Sequence, residues 1–169
     1  MEPIPSDTMS KLQKVVPVRD MKSVTFQFVL PSQNELWKTK PREWLDTFNI
    51  LDVMEQYELT YPDFKFFGPV PIDFDLKDKF NKCVVSELCA IDLSRLNNQG
   101  VKKIGVIFNL DKHNEPGSHW IGMYMDLTKN LIGYWDSYGY KPPSEVCTLM
   151  KKLKQQSKNN GYNPTIKNK

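Results

Sequence analysis

The chain has 169 residues, of which 40% are hydrophobic and 12% aromatic, and a formal net charge of +3. That length suits one domain of ordinary size, and the aromatic content excludes a disordered polymer. No apolar run approaches the ~20 residues that span a bilayer, and the N-terminus shows no secretory signal.

Residues 1–22 are polar and contain proline, and they are expected to form an N-terminal arm ahead of a single domain over 23–169. Ser23 to Leu30 alternates β-branched and aromatic residues up to Pro31 and predicts a strand. Residues 38–42 read as a loop. A helix is expected from Asp46 or Thr47, since either can cap it. Leu45, Phe48, Leu51, Met54 and Tyr57 give this helix an apolar face, and Tyr61-Pro62 ends it. Phe64 to Phe67 is a short strand closed by Gly68-Pro-Val-Pro71. Val84, Val85, Leu88, Ile91 and Leu96 predict a second helix, fading at Asn97 to Gly100. Strands are then expected near 103–109, 118–125 and 131–135. The five-residue turn from Asp126 to Asn130 makes the last two antiparallel neighbours. Pro142-Pro143 opens a final helix, because proline fits a first turn. Val146, Leu149, Met150 and Leu153 form its apolar face, and Asn159-Asn-Gly161 stops it. Asn163 to Lys167 begins one more strand. The expected class is α+β, a central antiparallel sheet flanked by helices.

The three cysteines are Cys83, Cys89 and Cys147, and the histidines are His113 and His119. Neither set has the spacing of a zinc site, so no metal or other cofactor is expected. An odd, sparse cysteine count without a signal segment fits a reducing compartment and an intracellular protein. From Lys141 onward seven lysines face a lone acidic residue, Glu145. This stretch reads as a solvated helix face, with weak nucleic-acid or acidic-partner contact as the alternative.

One pair carries chemistry. His119 opens a strand and Asp136 follows the next strand of the same hairpin. The start of the first therefore lies beside the end of the second. A carboxylate beside an imidazole fixes its tautomer and supports the imidazolium, which is the base–orienter half of a nucleophilic triad. The same spacing also fits an incidental His–Asp pair at a hairpin base. Trp120, Tyr134 and Trp135 flank the two residues and could shield them from water.

The runs Gly117-Ser-His-Trp-Ile-Gly-Met-Tyr-Met-Asp126 and Tyr134-Trp-Asp-Ser-Tyr-Gly139 resemble the His–Trp and Asp–Ser boxes of the ubiquitin-like-protein (SUMO) and adenovirus protease superfamily of cysteine peptidases. Glu43-Trp-Leu to Tyr57 resembles the box in which a Trp-Leu pair precedes the first helix. Pro142-Pro143 and the Phe-rich segment Tyr61 to Gly68 are most similar to the processing proteases of large DNA viruses, the African swine fever virus type. The resemblance implies a papain-like fold and a general base at His119. It also implies an orienting acid at Asp136 and substrate contacts at Trp120 and Trp44. It implies cleavage after Gly-type sites in a ubiquitin-like protein or viral polyprotein, in the cytoplasm or a virion.

The family's oxyanion-hole Gln and its Cys-Gly step should follow the Asp box, and neither is found up to Lys169. Cys147 sits inside the predicted final helix and is not assigned as the nucleophile. Gln155 and Gln156 are expected on that helix's exposed side and do not match the family's Gln. The leading expectation is a protease fragment that lacks the C-terminal part of the fold and is inactive alone. The alternatives are a non-catalytic homologue binding a ubiquitin-like tail or peptide, and a basic adaptor outside the family.

Overall fold

The computed structural model describes residues 35–168; the arm at 1–22 and the strand expected at 23–30 lie outside the described residues. The described residues divide between Tyr61 and Pro62 into two units. In the first, the stretch expected as a loop from residue 38 is partly helical, α1 spanning Leu36–Thr39. The expected helix follows as α2, Thr47–Thr60. Asp46 caps it. Its Oδ1 accepts from the Asn49 N–H at 2.8 Å, and Asn49 Oδ1 accepts from the Asp46 N–H at 3.1 Å. This reciprocal pair satisfies two donors that a helix start otherwise leaves orphaned. The fully buried residue of α2 is Ile50, whereas Phe48 is 74% exposed. Two residues are ~200° round a helix, so the buried side lies opposite Phe48 rather than beneath it.

The second unit is built on five strands: β1 Phe64–Pro71, β2 Lys103–Asn109, β3 Trp120–Asp126, β4 Leu131–Trp135 and β5 Thr165–Asn168. Their order across the sheet is their order in the chain. The pairs β2/β3 and β3/β4 are antiparallel, as expected. The pairs β1/β2 and β4/β5 are parallel, so the sheet is mixed rather than wholly antiparallel. The connections explain this. Between β1 and β2 run α3 (Ser86–Cys89) and α4 (Leu93–Asn98), and between β4 and β5 runs α5 (Ser144–Asn159). A helical crossover returns the chain to the end it started from, which leaves the flanking strands parallel.

Two further expectations change. Strand β1 does not stop at Gly68 but runs on to Pro71, with a register shift between Phe67 and Val70. Among the described strands it lies at the edge, where prolines without an N–H are tolerated at a bulge. The single helix expected over Val84 to Leu96 is two short ones. Asp92 interrupts it, its side chain accepting from the N–H groups of Ser94 at 2.8 Å and Arg95 at 3.2 Å to start α4. Cys83 and Cys89 are joined in a disulfide, a pairing that the reading of the cysteines as fitting a reducing compartment did not foresee.

On one sheet face, Val106, Phe108, Ile121, Met123, Ile132 and Tyr134 pack in a single cluster with Leu88, Leu93, Leu149 and Leu153 of the helices. Gln156 is not simply a surface residue of α5. Its Oε1 accepts from the Leu93 N–H at 2.8 Å and its Nε2 donates to the Ile91 carbonyl at 3.0 Å, tying α5 to the start of α4. The C-terminal ends of β1, β2 and β4 and the N-terminal end of β3 lie at one end of the sheet, so the loops after Pro71, Asn109 and Trp135 gather there.

Candidate active site

At that end His119 Nε2 lies 2.7 Å from Asp136 Oδ1. Their side chains are 12% and 1% exposed. The hairpin accounts for the meeting. Gly122 pairs with Trp135, so Asp136 follows at the level of Ile121 and His119 stands two residues beyond Ile121, just before β3, at the same end of the hairpin, a diagonal that the two side chains bridge.

The approach to His119 is held from several directions. The His119 carbonyl accepts from the Leu110 N–H at 2.9 Å. Asn109 Oδ1 accepts from the N–H groups of Asp111 and Ser118, at 3.0 and 3.2 Å. The Asp111 carboxylate accepts from the Ser118 hydroxyl and, at 3.0 Å, from the Gly117 N–H. Gly117 has φ +97, and a Cβ there would stand 2.7 Å from the Asn109 amide nitrogen. Any side chain is thus resisted both by backbone strain and by this contact.

A second His–Asp pair braces the same loop. Asp73 accepts from the His113 N–H at 2.9 Å and meets His113 Nδ1 at 2.7 Å. Sequence reasoning missed it, because the two residues lie in separate irregular loops. It has the same distance as the His119 pair but a different setting. Its imidazole is 47% exposed, and the carboxylate spends one oxygen on His113's own backbone. That arrangement anchors a loop, whereas the buried His119–Asp136 pair is built to hold a ring.

Asp136 is the electrostatic centre. Burial pushes its carboxyl up, but the hydrogen bond from His119, the Tyr138 N–H at 2.9 Å and the nearby imidazole charge outweigh this and hold it below the ordinary carboxylate value. Asp126 in the β3–β4 turn behaves alike. Burial pushes it up, while the Thr128 hydroxyl at 2.6 Å and the Lys129 N–H at 3.1 Å bring it down on balance. Both folded values lie below the unfolded one. These groups therefore contribute stability that is full above the unfolded pKa of ~4 and is lost as pH falls through the folded values. Unfolding free energy should decline on acidification below ~4, and Asp126→Asn or Asp136→Asn should flatten that decline. Denaturant titrations across acid pH measure it. Slopes unchanged in both variants would contradict the assignment.

Trp120 is half-buried on β3, opposite Asn109. Trp44 belongs to the first unit and is 69% exposed. Cys147 is half-buried on α5, with its Sγ 3.5 Å from the Pro142 carbonyl. It lies near enough to Tyr134 that, after burial and the Asp136 charge, it helps push that phenol up to about 12. Cys83 and Cys89 are bonded to each other, which leaves Cys147 as the free thiol among the described residues. Sequence reasoning also passed over the ring of Tyr138, which stacks on that of His119.

No protein-family model matches the chain. A protein of Acanthamoeba polyphaga mimivirus named as a thiol protease is 36% identical over 128 residues, which are 76% of this chain and 40% of that protein. A cysteine protease of African swine fever virus is 28% identical over 120 residues, 66% of this chain and 44% of that protein. The crystal structure of the African swine fever virus protease superposes with a TM-score of 0.56 at 18% identity, covering 94% of this chain and 69% of that one, a likeness of fold. The chain spans less than half the length of the two viral relatives.

Proposed function

Because the chain is a homologue of viral thiol and cysteine proteases of the SUMO-protease-like superfamily, we propose that it is the base-bearing part of a cysteine peptidase. The carrying observation is the 2.7 Å contact between His119 Nε2 and an Asp136 carboxylate that is 1% exposed. The Nε2–H donates to Asp136, which leaves Nδ1 as the basic nitrogen. In this reading Nδ1 takes the proton of a nucleophilic thiol and the thiolate attacks the scissile carbonyl. The imidazolium then returns the proton to the leaving amine, and water releases the acyl group from sulfur. Asp136 stabilises the imidazolium throughout. The chain spans 40% of the mimivirus protein, and in this reading the thiol and the oxyanion donors are supplied by the part it does not span.

The proposed substrate is a protein cut after Gly-type sites, either a ubiquitin-like precursor or a viral polyprotein. Trp120, adjacent in sequence to the proposed base, is a candidate for substrate contact. The role proposed for Trp44 rests on its Trp-Leu pattern and its exposed ring. The exposed lysines of α5, Lys151, Lys152 and Lys158, would add at most a weak, salt-sensitive contact with nucleic acid. Among the described residues no helix is long and apolar enough to cross a membrane. We place the protein inside the cell or in a virion. The Cys83–Cys89 bridge favours the virion over a reducing cytoplasm.

The test compares residues 1–169 with the same chain joined to a thiol-bearing segment of its gene. The first should show no peptide turnover. The second should cleave after glycine and take up an electrophilic Gly-ending probe on a cysteine other than Cys83, Cys89 and Cys147. Cleavage by the 169-residue chain that disappears in Cys147→Ala would sink this reading.

A further inference from the structure

Tyr138 touches both members of the dyad. Its ring lies on that of His119, with centroids 4.4 Å apart and planes 23° apart. Its backbone N–H donates at 2.9 Å to Asp136 Oδ1, the oxygen that also receives His119 Nε2. The turn that follows β4 produces this double contact. The Asp136 side chain accepts from the residue two positions on, and its carbonyl accepts from the Gly139 N–H at 2.9 Å, with Gly139 at φ +75. Asp and Gly at those positions close the chain tightly enough to carry the Tyr138 ring back over the imidazole. Tyr140 in turn meets Tyr138, its ring 6.0 Å away at 62°.

Burial does not explain this placement, because Tyr138 is 63% exposed. An exposed tyrosine normally turns with its solvent, whereas this one is held at its backbone by Asp136 and at its face by His119. We propose that Tyr138 is a positioning residue for the base. The stack restrains rotation of the imidazole about its single hydrogen bond, so that Nε2–H stays on Asp136 and Nδ1 keeps its direction. The π face of the phenol also attracts the imidazolium that forms when the base takes a proton. A hydrogen bond to one carboxylate oxygen fixes a point on the ring but leaves its plane free, and the stacked ring fixes the plane. The contribution is made by the ring and not by the hydroxyl.

This inference rests on His119 being the base, but its test needs no cleavage. The 169-residue chain is labelled with ¹⁵N-histidine and its two imidazoles are distinguished with His113→Gln. At mildly alkaline pH the wild-type His119 should show the nitrogen shifts of a pure Nε2–H tautomer and a ring N–H proton protected from solvent exchange. Tyr138→Phe should retain both features. Tyr138→Leu, and Tyr138→Met as a second variant, should lose the protected proton and move the nitrogen shifts towards an average of the two tautomers, with the core methyl signals unchanged. Retention of the tautomer and the proton in the Leu and Met variants overturns the proposal, as does their loss in Tyr138→Phe. A peptidase reading that fails on its own would instead leave these signals as expected while the completed protein cleaves nothing.

Discussion

On the proposed function, His119→Ala in the chain joined to its thiol-bearing segment is expected to lower kcat by about 10⁶ and to change KM little, because the proposed base acts on the reacting thiol and not on the bulk of the substrate. Without an acceptor at Nδ1 the thiol proton has nowhere to go, and without an imidazolium the leaving amine has no donor. Asp136→Asn is expected to cost less, about 10⁴. Its amide can offer its own N–H to Nε2, which turns the ring to the other tautomer and sends the lone pair away from the thiol. Both effects are read from steady-state cleavage of a Gly-ending fluorogenic substrate. His113→Ala is the control. It removes the anchor on Asp73 but leaves the buried pair in place, so only a small loss is expected. A collapse in His113→Ala as deep as in His119→Ala would show that the two pairs have been assigned the wrong way round.

Phe108→Ala destabilises the second unit by about 3–5 kcal/mol. The side chain is 0% exposed. It stands on β2 between Val70 of β1 and Ile121 of β3, and its ring lies 5.6 Å from that of Phe74. Hydrogen-bonded strands on both sides prevent collapse onto the vacated volume, so the lost transfer energy and the residual cavity add. Total stability is commonly ~5–15 kcal/mol, so the variant retains a thin margin. A fall in melting temperature of the order of 10 °C follows. Phe80→Ala is the contrast. The residue is 77% exposed, and its loss should stay within about 0.5 kcal/mol. Similar losses in the two variants, measured by thermal or denaturant unfolding, would mean that the core is not where the burial pattern places it.

The parts of this molecule that a reader of the sequence could see are those governed by local rules. The β3–β4 hairpin is one. A five-residue turn between two apolar runs forces antiparallel pairing, and that alone brings His119 and Asp136 to one end. The start of α2 is another, because Asp46 lies where a cap must lie. What stayed hidden depends on contacts distant in sequence. Nothing near Phe64 says that it pairs in parallel with Lys103. The Gly68-Pro69 step reads as a terminator until β1 is known to be an edge. Asp73 and His113 meet across 40 residues. Asp92 looked like one polar residue within a helix, and its capping role appears only once the chain is seen to restart there. Tyr138 was legible as an aromatic beside the Asp box, but the turn that swings its ring over His119 was not.

The sheet is laid out in the order in which the chain is written, and this bears on how the molecule comes into being. During synthesis each new strand emerges next to the one made just before it. Pairing can advance from β1 towards β5 without displacing an earlier partner. Contacts between close segments form fastest, and chains generally fold from the N-terminal side as they leave the ribosome. The His–Asp pair can form once residues 64–140 are out, before α5 and β5 have emerged. A nascent chain of this plan thus brings His119 and Asp136 together first, and what emerges afterwards docks against a pair that is already set.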